Sequence, residues 1–404
     1  MKTIERRVQL PLIWGQIYAP YLENRSIAVF DIETTGLWFR SDQIILSGIL
    51  LPDTSCMVSP STQGETNTAS SAQGQQNTAG MSSSYTHGQT NTVGASSPTT
   101  NGRAIQFFSD IPGDEAEIVR ATIEILSHVD IIVTYNGKSF DIPFLKTRAA
   151  KFGIPCELPG WSLDLFTMVQ AYTDLKSVIG SLSQKNIERY MGLASSRTDQ
   201  ISGGESVDQF KRYRILTSAA MGHSPASGAA QHGRAISPQA AELERTILLH
   251  NYDDNLQLYR IMPILSRIDL NRALFNQGFP AGHFLVNSLH VGRDGLTIKA
   301  TALPGHSLTD YISFPTEDAP YSVMATSGTA EITIPADSVA PGVSVIDLVS
   351  LLGRETAVSF PRYPGVESGY LILKRNGTPS YAEINTFVHL FLANKLAFLL
   401  ELIN

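Results

Sequence analysis

The stretch that most constrains the fold is "SIAVFDIETTGL", Ser26 to Leu37. Its apolar run reads as a β-strand, yet Asp31 and Glu33 sit inside it, one residue apart. Side chains alternate along a strand, so these carboxylates share a face with Val29, while Phe30 and Ile32 point the other way. A half-exposed edge strand could carry such a pair harmlessly. In a buried strand two like charges this close are costly unless something positive neutralises them, and a divalent cation is the natural partner.

The rest of the chain limits what that partner could be. The 404 residues suffice for two domains, or for one with large insertions, and the net charge is −7. No global basic field is present to hold nucleic acid, so a polyanionic substrate would need local basic residues or metal ions. The two cysteines, Cys56 and Cys156, are far apart and in no metal spacing, which argues against a disulfide framework or a zinc ribbon and fits a reducing, cytoplasmic setting. The start, "MKTIERRVQLPLIWG", has no unbroken apolar core and predicts no signal peptide. The closing segment, "INTFVHLFLANKLAFLLELIN", is interrupted by His389, Asn394, Lys395 and Glu401. That predicts a docked amphipathic helix rather than a membrane span, with a broad apolar face open to a homodimer contact or a protein partner.

Two segments are low in complexity. Ser59–Asn101 is rich in Ser, Thr, Gly, Gln and Asn and repeats loosely at Gly64, Gly74 and Gly88. Ser218–Ala240 is rich in Ala, Ser, Gly and Pro. Disordered inserts are predicted over 59–103 and 218–240. The first lies between "QIILSGILL" and "RAIQFFSD", which reads as a hairpin with an overgrown tip. Helices are expected at "DEAEIVRATIEILSHV", at "DIPFLKTRAAKFG" closed by Gly153, at "SLSQKNIERYMGL" and at "ELERTILLHNYDDNLQLYRIMPIL", with a buried strand at "DIIVTYN". Hairpin strands followed by β-α-β alternation predict an α/β domain, a mixed sheet flanked by helices, over 26–270, after an N-terminal segment 1–25. From about Asn271 alternating β-branched residues and turn pairs such as Asn376-Gly377 predict a smaller β-rich module, 271–404, that includes the terminal helix.

Two further motifs carry acids. In "TYNGKSFDIPFL" a strand ends at Tyr135-Asn136 and a helix starts near Asp141, with Pro143 in its first turn. Asp141 could be a simple N-cap, or one member of a site at the end of a buried strand. In "LLHNYDDNLQLY" His250 and Asp254 are four apart and stack on one helix face, interrupting a stripe that runs through Leu243, Ile247, Leu258 and Ile261. Asp253 falls about 100° around, on a side expected to be more exposed.

These three motifs, in this order, resemble the DEDD superfamily of 3′–5′ exonucleases on the ribonuclease H-like fold. "FDIETTG" looks like the first exonuclease motif, "YNGKSFDIPFL" is similar to the second as proofreading domains of family-B polymerases have it, and "HNYDD" resembles the third. The pattern is most similar to YprB-type ribonuclease H-like proteins. Those share a "DL" segment, here Asp164-Leu165, and an "R-x-D-x-x-x-G" segment, here Arg197, Asp199 and Gly203. The resemblance spans about Ser26 to Leu265 without the two inserts, and no family is apparent after Asn271.

The resemblance implies metal-dependent 3′–5′ hydrolysis of single-stranded DNA or RNA. Asp31, Glu33, Asp141 and Asp254 would hold two ions, and an all-oxygen set suits Mg²⁺ or Mn²⁺ rather than zinc. His250 would orient or deprotonate the attacking water. The backbone of Thr34, Thr35 and Gly36 would approach the terminal nucleotide, with Leu37 wedged against its base. Asn136 and Lys138 could touch the strand, though Lys138 reads equally as a solvated loop charge. An aspartic protease is excluded, because no Asp directly precedes Thr-Gly. A non-catalytic nucleic-acid-binding or scaffold protein on the same fold, and an endonuclease, are the alternatives.

Overall fold

A computed structural model of the chain describes residues 1–12, 19–22, 25–53, 99–199, 201, 203–221, 236–358, 360 and 368–403. Six strands form the first sheet: β1 (Lys2–Pro11), β2 (Ile27–Thr34), β3 (Ile44–Pro52), β4 (Thr99–Phe108), β5 (Ile131–Thr134) and β6 (Trp161–Asp164). Their order is β1-β4-β3-β2-β5-β6. The first four pair antiparallel, whereas β5 pairs parallel to β2 and β6 parallel to β5. This is the mixed sheet that the alternation of elements predicts. The β3–β4 hairpin is present, running from Leu46 opposite Phe108 to Pro52 opposite Gly102.

Helices cover both faces. On one face α1 (Glu115–Leu126) and α2 (Asp141–Phe152) bury Ile118, Val119, Ile123, Phe144 and Leu145 against Ala28, Phe30, Ile32 and Ile132. Gly153, with φ 64°, closes α2 as expected. On the other face α3 (Leu165–Tyr172) and the long α4 (Pro238–Ile261) pack over Val29, Leu50, Ile131 and Val133. The helix α4 comes very close to β3. A Cβ on Gly48 would stand 2.0 Å from Asn251 Oδ1 and 2.5 Å from Asn255 Nδ2, so a larger residue there would displace these two side chains.

Several boundaries differ from the sequence expectation. Residues 1–25 are not a separate segment: β1 forms the sheet edge, because β4 has a free ladder on that side. Of the first insert, 99–103 is strand, paired with β1 throughout and with β3 from Gly102; the remainder, with its repeats, lies outside the described residues, as does Cys56 before it. Of the second, 218–221 ends the helix Gly203–Met221 and Pro238–Ala240 starts α4, capped by the Ser237 hydroxyl. The terminal helix stops at Lys395, and Leu400–Leu402 pairs with His306–Leu308.

The expected β-rich region is present as a six-stranded and a four-stranded sheet. The terminal helix Tyr381–Lys395 buries Ile384, Phe387, Val388, Phe391 and Leu392 in a core cluster that also holds Leu258 and Ile261 of α4. That apolar face is therefore covered by the chain itself. No helix among the described residues is long and apolar enough to cross a membrane.

Candidate active site

The site lies at the end of β2, where β5 also delivers its C-terminal turn. Asp31 and Glu33 project from β2 toward α4, as strand alternation requires. Asn251 of α4 donates from Nδ2 to Asp31 Oδ2 at 2.9 Å. His250 Nε2 faces Glu33 Oε1 at 3.6 Å and Asp254 Oδ2 at 3.4 Å. One ligand atom from each of Glu33, His250 and Asp254 lies within 4.8 Å of the others, a grouping that could hold a metal ion. Asp141 stands outside that tightest group. It is the first residue of α2 rather than its N-cap, and its Oδ1 accepts the Ile32 N–H of β2 at 3.1 Å. That bond ties the start of α2 to the strand bearing Asp31 and Glu33.

The electrostatics are those of a site short of positive charge. Burial raises the Asp31 pKa well above the ordinary carboxylate range, and the charges of Asp141, Asp254 and Glu33 raise it further. Burial pushes Glu33 up to about 7, against the pull of His250. Burial likewise pushes Asp141 up to about 7, although the Ile32 N–H favours its ionised form. Asp254 is also raised by burial, against His250 and Arg197. Burial opposes charging His250, but its bond to Asp199 and the nearby carboxylates outweigh this and raise its pKa. Among the described residues no Lys or Arg forms an ion pair with Asp31, Glu33 or Asp141. Oxygen-rich donors crowded out of water without a cation fit a hard divalent ion.

A stability test follows from these shifts. Between the unfolded carboxylate pKa values near 4 and the folded values near 7, the metal-free folded chain binds more protons than the unfolded one. Its stability from these groups therefore falls as pH rises through that window. A bound cation favours the ionised carboxylates and reverses the trend. The metal-free melting temperature is expected to drop from pH 5 to pH 8, and Mg²⁺ or Mn²⁺ to raise it more at pH 8 than at pH 5. An equal or larger metal shift at pH 5, by scanning calorimetry, contradicts this.

The segment after β2 is tightly built. Thr34 Oγ1 donates to the Gly36 carbonyl at 2.6 Å, and the Gln43 N–H donates to Thr35 Oγ1 at 3.0 Å. A Cβ on Gly36 would meet the Asp42 carboxylate at 2.5 Å, so glycine lets the chain pass there. Leu37 is 76% exposed at the tip. Asn136 is exposed in a left-handed turn, φ 65°. Lys138 Nζ donates one hydrogen bond to Gln277 Oε1, at 3.0 Å and exposed.

Four contributions were not legible as such in the sequence. Asn251 bonds Asp31, although only its pairing with His250 marked it. Asp164, of the "DL" segment, accepts the backbone N–H groups of Asn136, Lys138 and Thr167, and so shapes the turn before Asp141. Asp199, of the "R-x-D" segment, accepts from His250 Nδ1 at 2.7 Å. Asp253 is 2% exposed, contrary to the exposed side expected for it, because it accepts the Thr198 and Asp199 N–H groups, each at 2.6 Å.

Residues 77–266 match the RNase_H_2 model of the RNase H superfamily. The match takes in Asp141, His250 and Asp254, while Asp31 and Glu33 lie upstream of it. That match is consistent with an RNase H-like fold, as is the mixed α/β sheet flanked by helices. A stretch of 49 residues is 43% identical to a DNA polymerase of Methanocaldococcus jannaschii, covering 12% of this chain and 3% of that protein. The family B DNA polymerase of the hyperthermophilic archaeon Pyrobaculum calidifontis aligns over 91% of this chain and 46% of its own, with 13% identity and a TM-score of 0.35. The chain spans less than half the length of either.

Proposed function

We propose that this protein is a metal-dependent 3′–5′ exonuclease of the DEDD type, related to YprB-type proteins, acting on single-stranded DNA or RNA. The observation that carries this reading is the crowding of Asp31 with Glu33, Asp141 and Asp254 at one site, where His250 faces Glu33 and Asp254, without a compensating Lys or Arg on Asp31, Glu33 or Asp141 among the described residues.

The four carboxylates would hold two Mg²⁺ or Mn²⁺ ions, which when bound supply charge neutralisation for the phosphate and for developing charge on oxygen. The chain's own groups do the rest. His250 Nε2, facing Glu33 and Asp254, accepts the proton of the attacking water. The new P–O bond forms as the bond to the 3′ oxygen breaks, and that oxygen takes a proton from solvent water to leave as a hydroxyl. Leu37 packs against the terminal base, while the Thr34–Gly36 backbone sets how closely the nucleotide approaches. Asn136, on the turn held by Asp164, bonds the strand. Arg197 holds Asp254 Oδ1 at 2.6 Å and leaves Oδ2 directed at His250.

Purified protein incubated with 5′-labelled single-stranded DNA or RNA in Mg²⁺, Mn²⁺ or EDTA tests the reading. The expected outcome is stepwise shortening from the 3′ end that releases mononucleotides and stops in EDTA. Internal cuts giving oligomers would assign an endonuclease instead. Binding without cleavage in any metal would assign the non-catalytic alternative.

A further inference from the structure

We propose that Asp199 is the positioning residue for His250, holding its ring so that Nδ1 carries the proton and Nε2 is the free nitrogen turned to the reacting centre. The inference rests on the nuclease reading for its consequence, but its geometry stands apart from any ion.

The His250 ring sits between two kinds of partner. Nδ1 is 2.7 Å from Asp199 Oδ2, a full hydrogen bond. Nε2 is 3.6 Å from Glu33 Oε1 and 3.4 Å from Asp254 Oδ2, longer than ordinary N–H···O bonds. An ionised carboxylate can only accept, so the nitrogen facing Asp199 must be the donor. A neutral ring has one N–H, and this bond assigns it to Nδ1. Nε2 is then an acceptor, as a base toward water must be.

Asp199 is itself fixed on three sides. Arg197 Nη1 bonds its Oδ1 at 2.5 Å, and Lys185 Nζ lies 3.5 Å from Oδ2. Its backbone N–H and that of Thr198 both donate to Asp253 Oδ2, and the Thr198 hydroxyl adds a third bond at 2.7 Å. Asp253 stands three residues after His250 on α4. One helix therefore presents the ring and also anchors the segment that orients it. Arg197 further bonds Glu188 through Nε and Nη2, at 2.9 and 2.7 Å, and reaches Asp254. The guanidinium thus sets Asp199 and Asp254 in fixed relation on either side of the ring. A carboxylate needed only to pair with Arg197 would not require the oxygen turned to Nδ1.

The first measurement needs no variant. In metal-free protein with ¹⁵N-labelled histidines, at alkaline pH where the ring is neutral, the His250 signal is expected to show a protonated Nδ1 and a bare Nε2. The His250→Gln protein, lacking that signal, assigns it. A proton found on Nε2 overturns the proposal. The second measurement is Asp199→Asn, which keeps the shape but permits the other tautomer. It is expected to lower kcat about 100-fold or more, with KM for a single strand changed less than about threefold, and to leave the metal-induced rise in melting temperature in place. A kcat within about threefold of the original protein overturns the proposal. If the original protein cleaves nothing, the nuclease reading fails while the ¹⁵N result still decides where the proton sits.

Discussion

Replacing Asp31 with Asn is expected to lower strand cleavage about 10³-fold or more, and at pH 8 without metal to raise the melting temperature of the same protein. The two effects share one cause. Asp31 gives up water and stands among the charges of Asp141, Asp254 and Glu33, so its negative charge costs stability until a cation arrives. The amide keeps the side-chain shape, and its oxygen can still accept from Asn251, now 2.9 Å from Asp31 Oδ2. Only the charge is lost. Kinetic assay beside calorimetry checks both halves. Activity within tenfold of the original protein, or a lower metal-free melting temperature at pH 8, would contradict the account.

The largest loss of stability is expected from Glu115→Gln, remote from the carboxylate cluster. Arg148 is fully buried, and its Nε and Nη2 each bond a Glu115 oxygen at 2.6 Å. Removing one charge strands the other in the interior, at a cost of about 3–5 kcal/mol. The pair also reaches the site. Arg148 Nη1 donates to the Arg40 carbonyl at 2.9 Å, and Glu115 Oε1 accepts the Ile44 N–H at 2.9 Å. Both ends of the segment that follows Leu37 are thus pinned from the helices beneath. Urea unfolding should show the loss, and the surviving folded enzyme should show a raised KM for short strands, because the Leu37 loop is no longer held. A change below about 1 kcal/mol would mean that the pair is dispensable.

The strand–helix alternation, the hairpin and the shared face of Asp31 and Glu33 were legible because they follow from local periodicity. So was the stacking of His250 over Asp254, which needs only four residues of helix. Asp253 was misplaced because a helical wheel assumes one buried face. The helix α4 packs β2 and β3 on one side and the Arg197–Asp199 segment on another, which buries polar residues beyond the apolar stripe. Residues 99–103 escaped because Thr-Thr-Asn-Gly-Arg is poor strand sequence, and pairing with β1 along its length, joined by β3 from Gly102, overrides it. Asp164 and Asp199 could be marked by motif, but their partners come from distant elements that no spacing rule connects. Asp141 kept two readings in the sequence. Its bond to the Ile32 N–H joins the start of its helix to the site strand.

The central claim is that the carboxylates around His250 form a cage completed by metal. Titrating metal-free protein with Mn²⁺ while following free Mn²⁺ by electron paramagnetic resonance tests it most directly, with Asp31→Asn alongside. The account expects two ions held by the original protein, bound more tightly at pH 8 than at pH 6, and at least one of them lost in the variant. No binding by the original protein, or the same binding by both, would contradict it.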